Sequence, residues 1–177
     1  GLLIGSACEA GQLYKAVLQG KSESDLLELA KFYDYLELQP LGNNKFLLAE
    51  GEVDSREELK EINRQIYELG QKLGKPVIAA GDVHFLDPED SIYRRILQEG
   101  QGFDDADQQA PLYLRTTEEM LTEFDYFSEE VAKKLVVDNP RQLVEEIEEL
   151  KPVPEGLYTP TIEGADEEIR TMAYERA

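Results

Sequence analysis

Two stretches of this chain carry residues able to do chemistry. In "GKPVIAAGDVHFLDPED", Asp82 and His84 stand two positions apart, and His84 is the only histidine in 177 residues. In extended backbone, side chains two apart point the same way, so this carboxylate and imidazole can meet at one point. Near the start, "LLIGSACEAG" holds the only cysteine, Cys8. Cysteine and histidine favour zinc, whereas carboxylates tolerate manganese or magnesium, so Cys8, Asp82 and His84 together form a candidate metal site. Three donors are a minimum, and Glu9 and Glu37 are possible additions. Taken singly, each residue also has a plainer reading: His84 as a hydrogen-bonded structural histidine, Cys8 as a small core residue. No P-loop, G-x-G-x-x-G, G-x-S-x-G or C-x-x-C is present, so nucleophilic and phosphate-loop chemistry lack their usual signals.

The elements that would position these residues follow from patterning. Residues 2–4, "LLI", read as a short buried strand running into the loop that carries Cys8. Helices are expected over residues 12–18 and from an N-cap at Ser22 to about Phe32. "YDYLELQP" alternates like a strand, with the Tyr33, Tyr35 pair read as packing, and residues 41–54 read as loop. Ser55 and Glu58 form a capping box ahead of Leu59, Ile62, Ile66, Leu69 and Leu73, a helix ended by Gly74. "VIAA", residues 77–80, then reads as a strand covered on both faces.

Alternating strands and helices imply an α/β layer or barrel, in which sites form at the carboxyl ends of strands. Both Cys8 and Asp82 follow such strands. A helix after His84 should turn Ile92, Ile96 and Leu97 inward, and residues 101–113 read as an exposed loop. From Thr116 only helices are expected, capped by Thr116, Ser128 and Asn139, the last running to Leu150. A proline-rich linker and a final helix from about Asp166 close the chain.

Composition narrows the classes. Eighteen Lys plus Arg against 38 Asp plus Glu give a formal charge of −20, which points away from direct nucleic-acid binding. No apolar run approaches the length of about 20 residues that a membrane span needs, and no signal-peptide pattern opens the chain. A cytoplasmic location is therefore expected. The opening, without Met and already strand-like, suggests a piece of a longer polypeptide.

"GLLIGSACEAG", "FYDYLELQP", "GKPVIAAGDVHFLDPED", "YRRILQEGQGF", "RTTEEML" and "LYTPTIEGADEEIR" occur in an order that resembles the PHP (polymerase and histidinol phosphatase) region of PolC-type DNA polymerase III α subunits. The resemblance covers essentially the whole chain. It implies part of a distorted (β/α)7 barrel over residues 1–112, a helical segment over 113–151, and a linker with the first helix of the polymerase core over 152–177. It also implies that Cys8, Asp82 and His84 are the last ligands, in chain order, of a zinc or manganese centre whose other ligands lie upstream. No catalytic residue is expected here, because the Mg²⁺-binding aspartates of the polymerase core would follow residue 177. The implied partners are the remainder of the polymerase chain (the N-terminal PHP half, exonuclease and palm), with DNA and the sliding clamp engaged through other domains. The implied role is DNA replication by nucleotidyl transfer in the parent enzyme, with this segment supporting stability. The alternatives are metal-dependent phosphoesterase activity of the PHP module and an acidic protein-interaction module without catalysis.

Overall fold

Leu59, Ile62, Ile66 and Leu69 recur at helical spacing and are all buried on one face of α4, Arg56–Leu73, the longest helix. Ser55 Oγ accepts the Glu58 N–H at 3.2 Å, while the Glu58 carboxylate accepts from Asp54 N–H at 2.7 Å, one residue earlier than a capping box would have it. Gly74 ends the helix at φ +63°, the left-handed turn that glycine adopts without strain. This helix carries the core in a computed structural model that describes residues 1–153, 155–156 and 159–176. The chain divides into two units, Gly1–Ile147 and Glu148–Ala177.

In the first unit, α1 (Gln12–Leu18) and α2 (Glu23–Ala30) pack on α4 and on each other, burying Leu13, Tyr14, Val17 and Leu26. Burial of one such aliphatic side chain stabilises by about 1.5–3 kcal/mol relative to exposure. Ser22 caps α2 through the Asp25 N–H, as expected. Two strands, β1 (Leu36–Leu38) and β2 (Val77–Ala79), pair in parallel with Leu36 opposite Val77 and Leu38 opposite Ala79. Parallel pairing requires a crossover, and α4 supplies it. Gly5 extends the arrangement by a single parallel bridge to Tyr35. A side chain at position 5 would collide with the Tyr35 ring and the Glu37 carboxylate, so the approach needs glycine. The general expectation of mixed α/β with parallel strands is what the structure has.

Several expectations change. Residues 2–4 are exposed and form no strand; they are tied to Asp34 and Tyr35, but among the described residues no strand flanks their outer side. In "VIAA" only Val77 is fully buried, because the outer edge of β2 has no described strand beside it. The loop over 41–54 contains a one-turn helix, α3 (Phe46–Ala49), seated by Leu47. The helix after His84, α5 (Ser91–Gln101), forms after a 3₁₀ turn at Pro88–Asp90, yet Ile92, Ile96 and Leu97 are exposed instead of inward. Its spacing was legible; nothing described covers the stripe.

Beyond a loop whose Ala106 and Leu112 are buried, α6 (Thr117–Glu123) starts with a reciprocal capping box between Thr116 and Glu119. Then α7 (Glu129–Lys133), capped by Ser128, runs through a π-helical turn at Lys134–Asp138 into α8 (Asn139–Glu145). Asn139 is thus the first residue of α8, continuous with the turn before it, and not the N-cap of a separate helix. The widened turn accommodates Pro140, and the Asn139 amide instead donates to the Val77 carbonyl at 2.7 Å, tying α8 to β2. The last helical residue is Glu145, short of the expected Leu150. Phe124, Tyr126 and Phe127 pack as an aromatic cluster with Tyr67 of α4.

The second unit contains α9, Ala165–Arg176, with Asp166, Glu167 and Glu168 in its first turn, where the helix dipole favours acids. Of the expected linker and terminus, Pro154, Leu157, Tyr158 and Ala177 lie outside the described residues. Among the described residues no helix is long and apolar enough to cross a membrane.

Candidate functional site

The chain leaves β2 through Ala80, whose N–H donates to the Leu38 carbonyl at 2.9 Å, and then breaks from the sheet. Asp82 adopts φ +52°, a left-handed conformation that aspartate tolerates better than most non-glycine residues. Two residues on, the His84 N–H donates to the Leu112 carbonyl at 2.8 Å, and the Leu114 N–H returns to the Phe85 carbonyl at 3.0 Å. These bonds form a parallel bridge between Phe85 and Tyr113 that fixes the His84 backbone. His84 Nε2 lies 3.3 Å from Asp82 Oδ1, and the two side chains are 44% and 49% exposed. The two side chains meet at the rim of the fold, in reach of solvent, but not by the expected route: residues 81–84 form no strand, and left-handed Asp82, not an extended two-residue spacing, brings its carboxylate to the imidazole.

Cys8 lies at the equivalent end of the neighbouring segment. Ala7, just before it, is the other non-glycine residue in left-handed backbone among the described residues, at φ +61°. Strained backbone persists only where the surroundings enforce it. Here the Ala7 N–H donates to Glu37 Oε1 at 3.2 Å, and the Glu37 N–H donates to Ser6 Oγ at 2.9 Å. Glu37, weighed above as an extra ligand, uses its carboxylate to brace this turn. Burial pushes the Cys8 thiol above its ordinary range, and the adjacent Glu9 adds to the effect, so the neutral thiol is favoured.

Asp82, His84 and Glu9 line one open cleft of about 750 Å³, together with Asn43, Lys45 and Arg94. Cys8 is not part of that lining. Among the described residues, no group of three or more His, Cys, Asp or Glu is close enough to hold a metal ion. The structure thus joins Asp82 to His84 and does not bring Cys8 to them.

Two supporting residues escaped the sequence reading. Asn43 is buried, and its Nδ2 donates to the Gly81 carbonyl at 3.0 Å, next to Asp82. Its only signal in the sequence was turn chemistry in "GNN". Arg115 is buried, pairs with Glu123 at 3.2 Å and stacks 4.4 Å from the Tyr113 ring, anchoring the segment that holds the His84 backbone. An arginine after a polar loop reads as solvated, so no pattern pointed to it.

No family model matches the chain. Curated relatives do. It is 57% identical over 177 residues to the PolC-type DNA polymerase III of Caldanaerobacter subterraneus subsp. tengcongensis, covering 100% of this chain and 13% of that protein. The enzyme of the same name from Clostridium perfringens is 56% identical over 172 residues, covering 97% of this chain and 12% of that protein. That of Bacillus subtilis is 47% identical over 180 residues, covering 100% and 12%. The chain therefore spans about an eighth of the length of the curated relatives it matches.

Proposed function

We propose that this chain is a segment of a PolC-type DNA polymerase III, and that in the parent enzyme, which would extend DNA by templated nucleotidyl transfer, it contributes to a PHP metal-binding module that supports the stability of the polymerase. The observation that carries this reading is identity near one half sustained along the whole chain, from the Cys8 loop to α9. The rest of the polymerase chain would be its immediate partner, with DNA, exonuclease, sliding clamp and the Mg²⁺ of nucleotidyl transfer belonging to other domains, all in the cytoplasm.

The residues present fit a metal in part. Asp82 and His84, 3.3 Å apart at a cleft mouth, are a carboxylate and an imidazole of the kind zinc or manganese accepts. Two side chains do not complete a coordination shell, and Cys8 is not brought to them. In this reading the other donors come from the remainder of the polymerase, and the bound metal would cross-link distant segments of the chain. What the segment itself supplies is orientation: left-handed Asp82 aims the carboxylate, and the bridge to residues 112–114 holds the imidazole.

The test uses the full-length polymerase carrying this segment, with Asp82→Ala and His84→Ala variants. Elemental analysis after dialysis should show a lower metal content in both. Thermal unfolding should shift down, while primer extension at a permissive temperature is largely kept. Unchanged metal content in both variants would remove the metal role and leave only the scaffold.

One feature favours phosphoesterase chemistry as a second reading. Lys45 and Arg94 line the same cleft as the carboxylates, cations suited to a phosphate. Hydrolysis of a simple phosphodiester by the wild-type polymerase that is lost in Asp82→Ala, with primer extension intact, would support it.

A further inference from the structure

The direction of the Asp82 carboxylate depends on the peptide group joining Gly81 to Asp82, since rotating that plane changes φ of Asp82. Three attachments hold this stretch. The Ala80 N–H is on Leu38 and the His84 N–H is on Leu112, both backbone bonds that do not depend on residue type. The third is a side chain: Asn43 Nδ2 donates to the Gly81 carbonyl at 3.0 Å, gripping that very peptide group. Asn43 is 7% exposed and lines the cleft, and its Oδ1 has no hydrogen-bond partner among the described residues. Packing alone gains nothing from a buried amide with an unmet acceptor, because an apolar side chain of that size avoids the desolvation penalty. The contact that justifies the amide is the one to Gly81.

We infer that Asn43 is a positioning residue for the Asp82–His84 pair, holding the left-handed turn so that the carboxylate faces the imidazole and the cleft. This rests on the metal-binding reading of that pair. It is a role one step removed from the ligands, and such supports typically tune metal affinity 10–100-fold. The chain contains its own control. Asn44 is the same residue type, is 2% exposed and also has an Oδ1 without a partner among the described residues, but its Nδ2 donates to the Tyr14 hydroxyl of α1 at 3.3 Å.

Mn²⁺ is titrated into the metal-stripped full-length polymerase as wild type, Asp82→Ala, Asn43→Ala, Asn43→Asp and Asn44→Ala, with thermal unfolding measured beside it. Asn43→Ala should weaken Mn²⁺ binding at least about tenfold, whereas Asn44→Ala lowers the melting temperature and leaves affinity within about twofold. Asn43→Asp separates positioning from charge. An added carboxylate at the cleft would tighten cation binding by attraction alone, but it cannot donate to the Gly81 carbonyl, so the inference expects weaker binding. If Asn43→Ala fails to fold, the isosteric Asn43→Asp decides. Unchanged or tighter binding in the Asn43 variants, with Asp82→Ala weakened, overturns the inference. Unchanged binding in Asp82→Ala overturns the reading beneath it.

Discussion

At the scale of single residues, buried tyrosines with asparagine partners give the molecule a defined alkaline limit. The Tyr14 hydroxyl accepts from Asn44 at 3.3 Å and the Tyr126 hydroxyl from Asn63 at 2.6 Å. Burial holds both phenols neutral and pushes Tyr14 up to about 12, with Tyr126 raised as well. A folded-state value above the unfolded one means the neutral form is what the fold stabilises. That contribution is full below the ordinary phenol value near 10 and is lost as pH rises through about 12. Unfolding followed by urea titration should therefore show a steep fall in stability between pH 10 and 12, and Tyr14→Phe should make that fall shallower. An unaltered slope in Tyr14→Phe would assign the alkaline limb to other groups. The site pair obeys a different logic. Asp82 and His84 are half exposed, so what matters there is the backbone that orients them, and Asp82 and Ala7 spend conformational strain at the two candidate strand ends.

At the scale of elements, α4 and α5 have the same kind of apolar stripe and opposite fates. Leu59, Ile62, Ile66 and Leu69 are buried against α1, α2 and β1; Ile92, Ile96 and Leu97 face solvent, Leu97 being 66% exposed. Spacing tells which residues share a face and not whether anything lies against it. In this chain alone, Leu97→Gln should change stability by less than about 0.5 kcal/mol, whereas Leu69→Ala should cost about 2–5 kcal/mol, both read from urea unfolding. A large loss from Leu97→Gln would mean that the α5 stripe is covered after all. Caps at Ser22, Thr116 and Ser128 were legible because capping is local, a hydroxyl meeting an N–H three residues away. The π turn ahead of Pro140 was not legible. Beside it the Asn139 amide donates to the Val77 carbonyl, 62 residues away in the chain, a meeting that no local pattern announces.

At the scale of the whole molecule, charge sets what the surface can meet. With 18 basic against 38 acidic residues, this chain should leave the fluorescence anisotropy of labelled duplex DNA unchanged at near-physiological salt. Saturable binding there would mean that a local basic patch overrides the net charge and that DNA contact is not confined to other domains. The sequence by itself determined the starts of α2, α4, α6 and α7, the parallel α/β character and the placing of Asp82 and His84 just past one strand, because these follow from periodicity and short-range geometry along one chain. Tertiary structure alone decided the rest. It left residues 2–4 and α5 uncovered, turned Glu37 into a brace for Ala7, kept Cys8 out of the Asp82–His84 cleft lining, and set Asn43 and Arg115 behind the site. Those outcomes depend on which surfaces and peptide groups meet across tens of residues, and a linear pattern carries no term for such meetings.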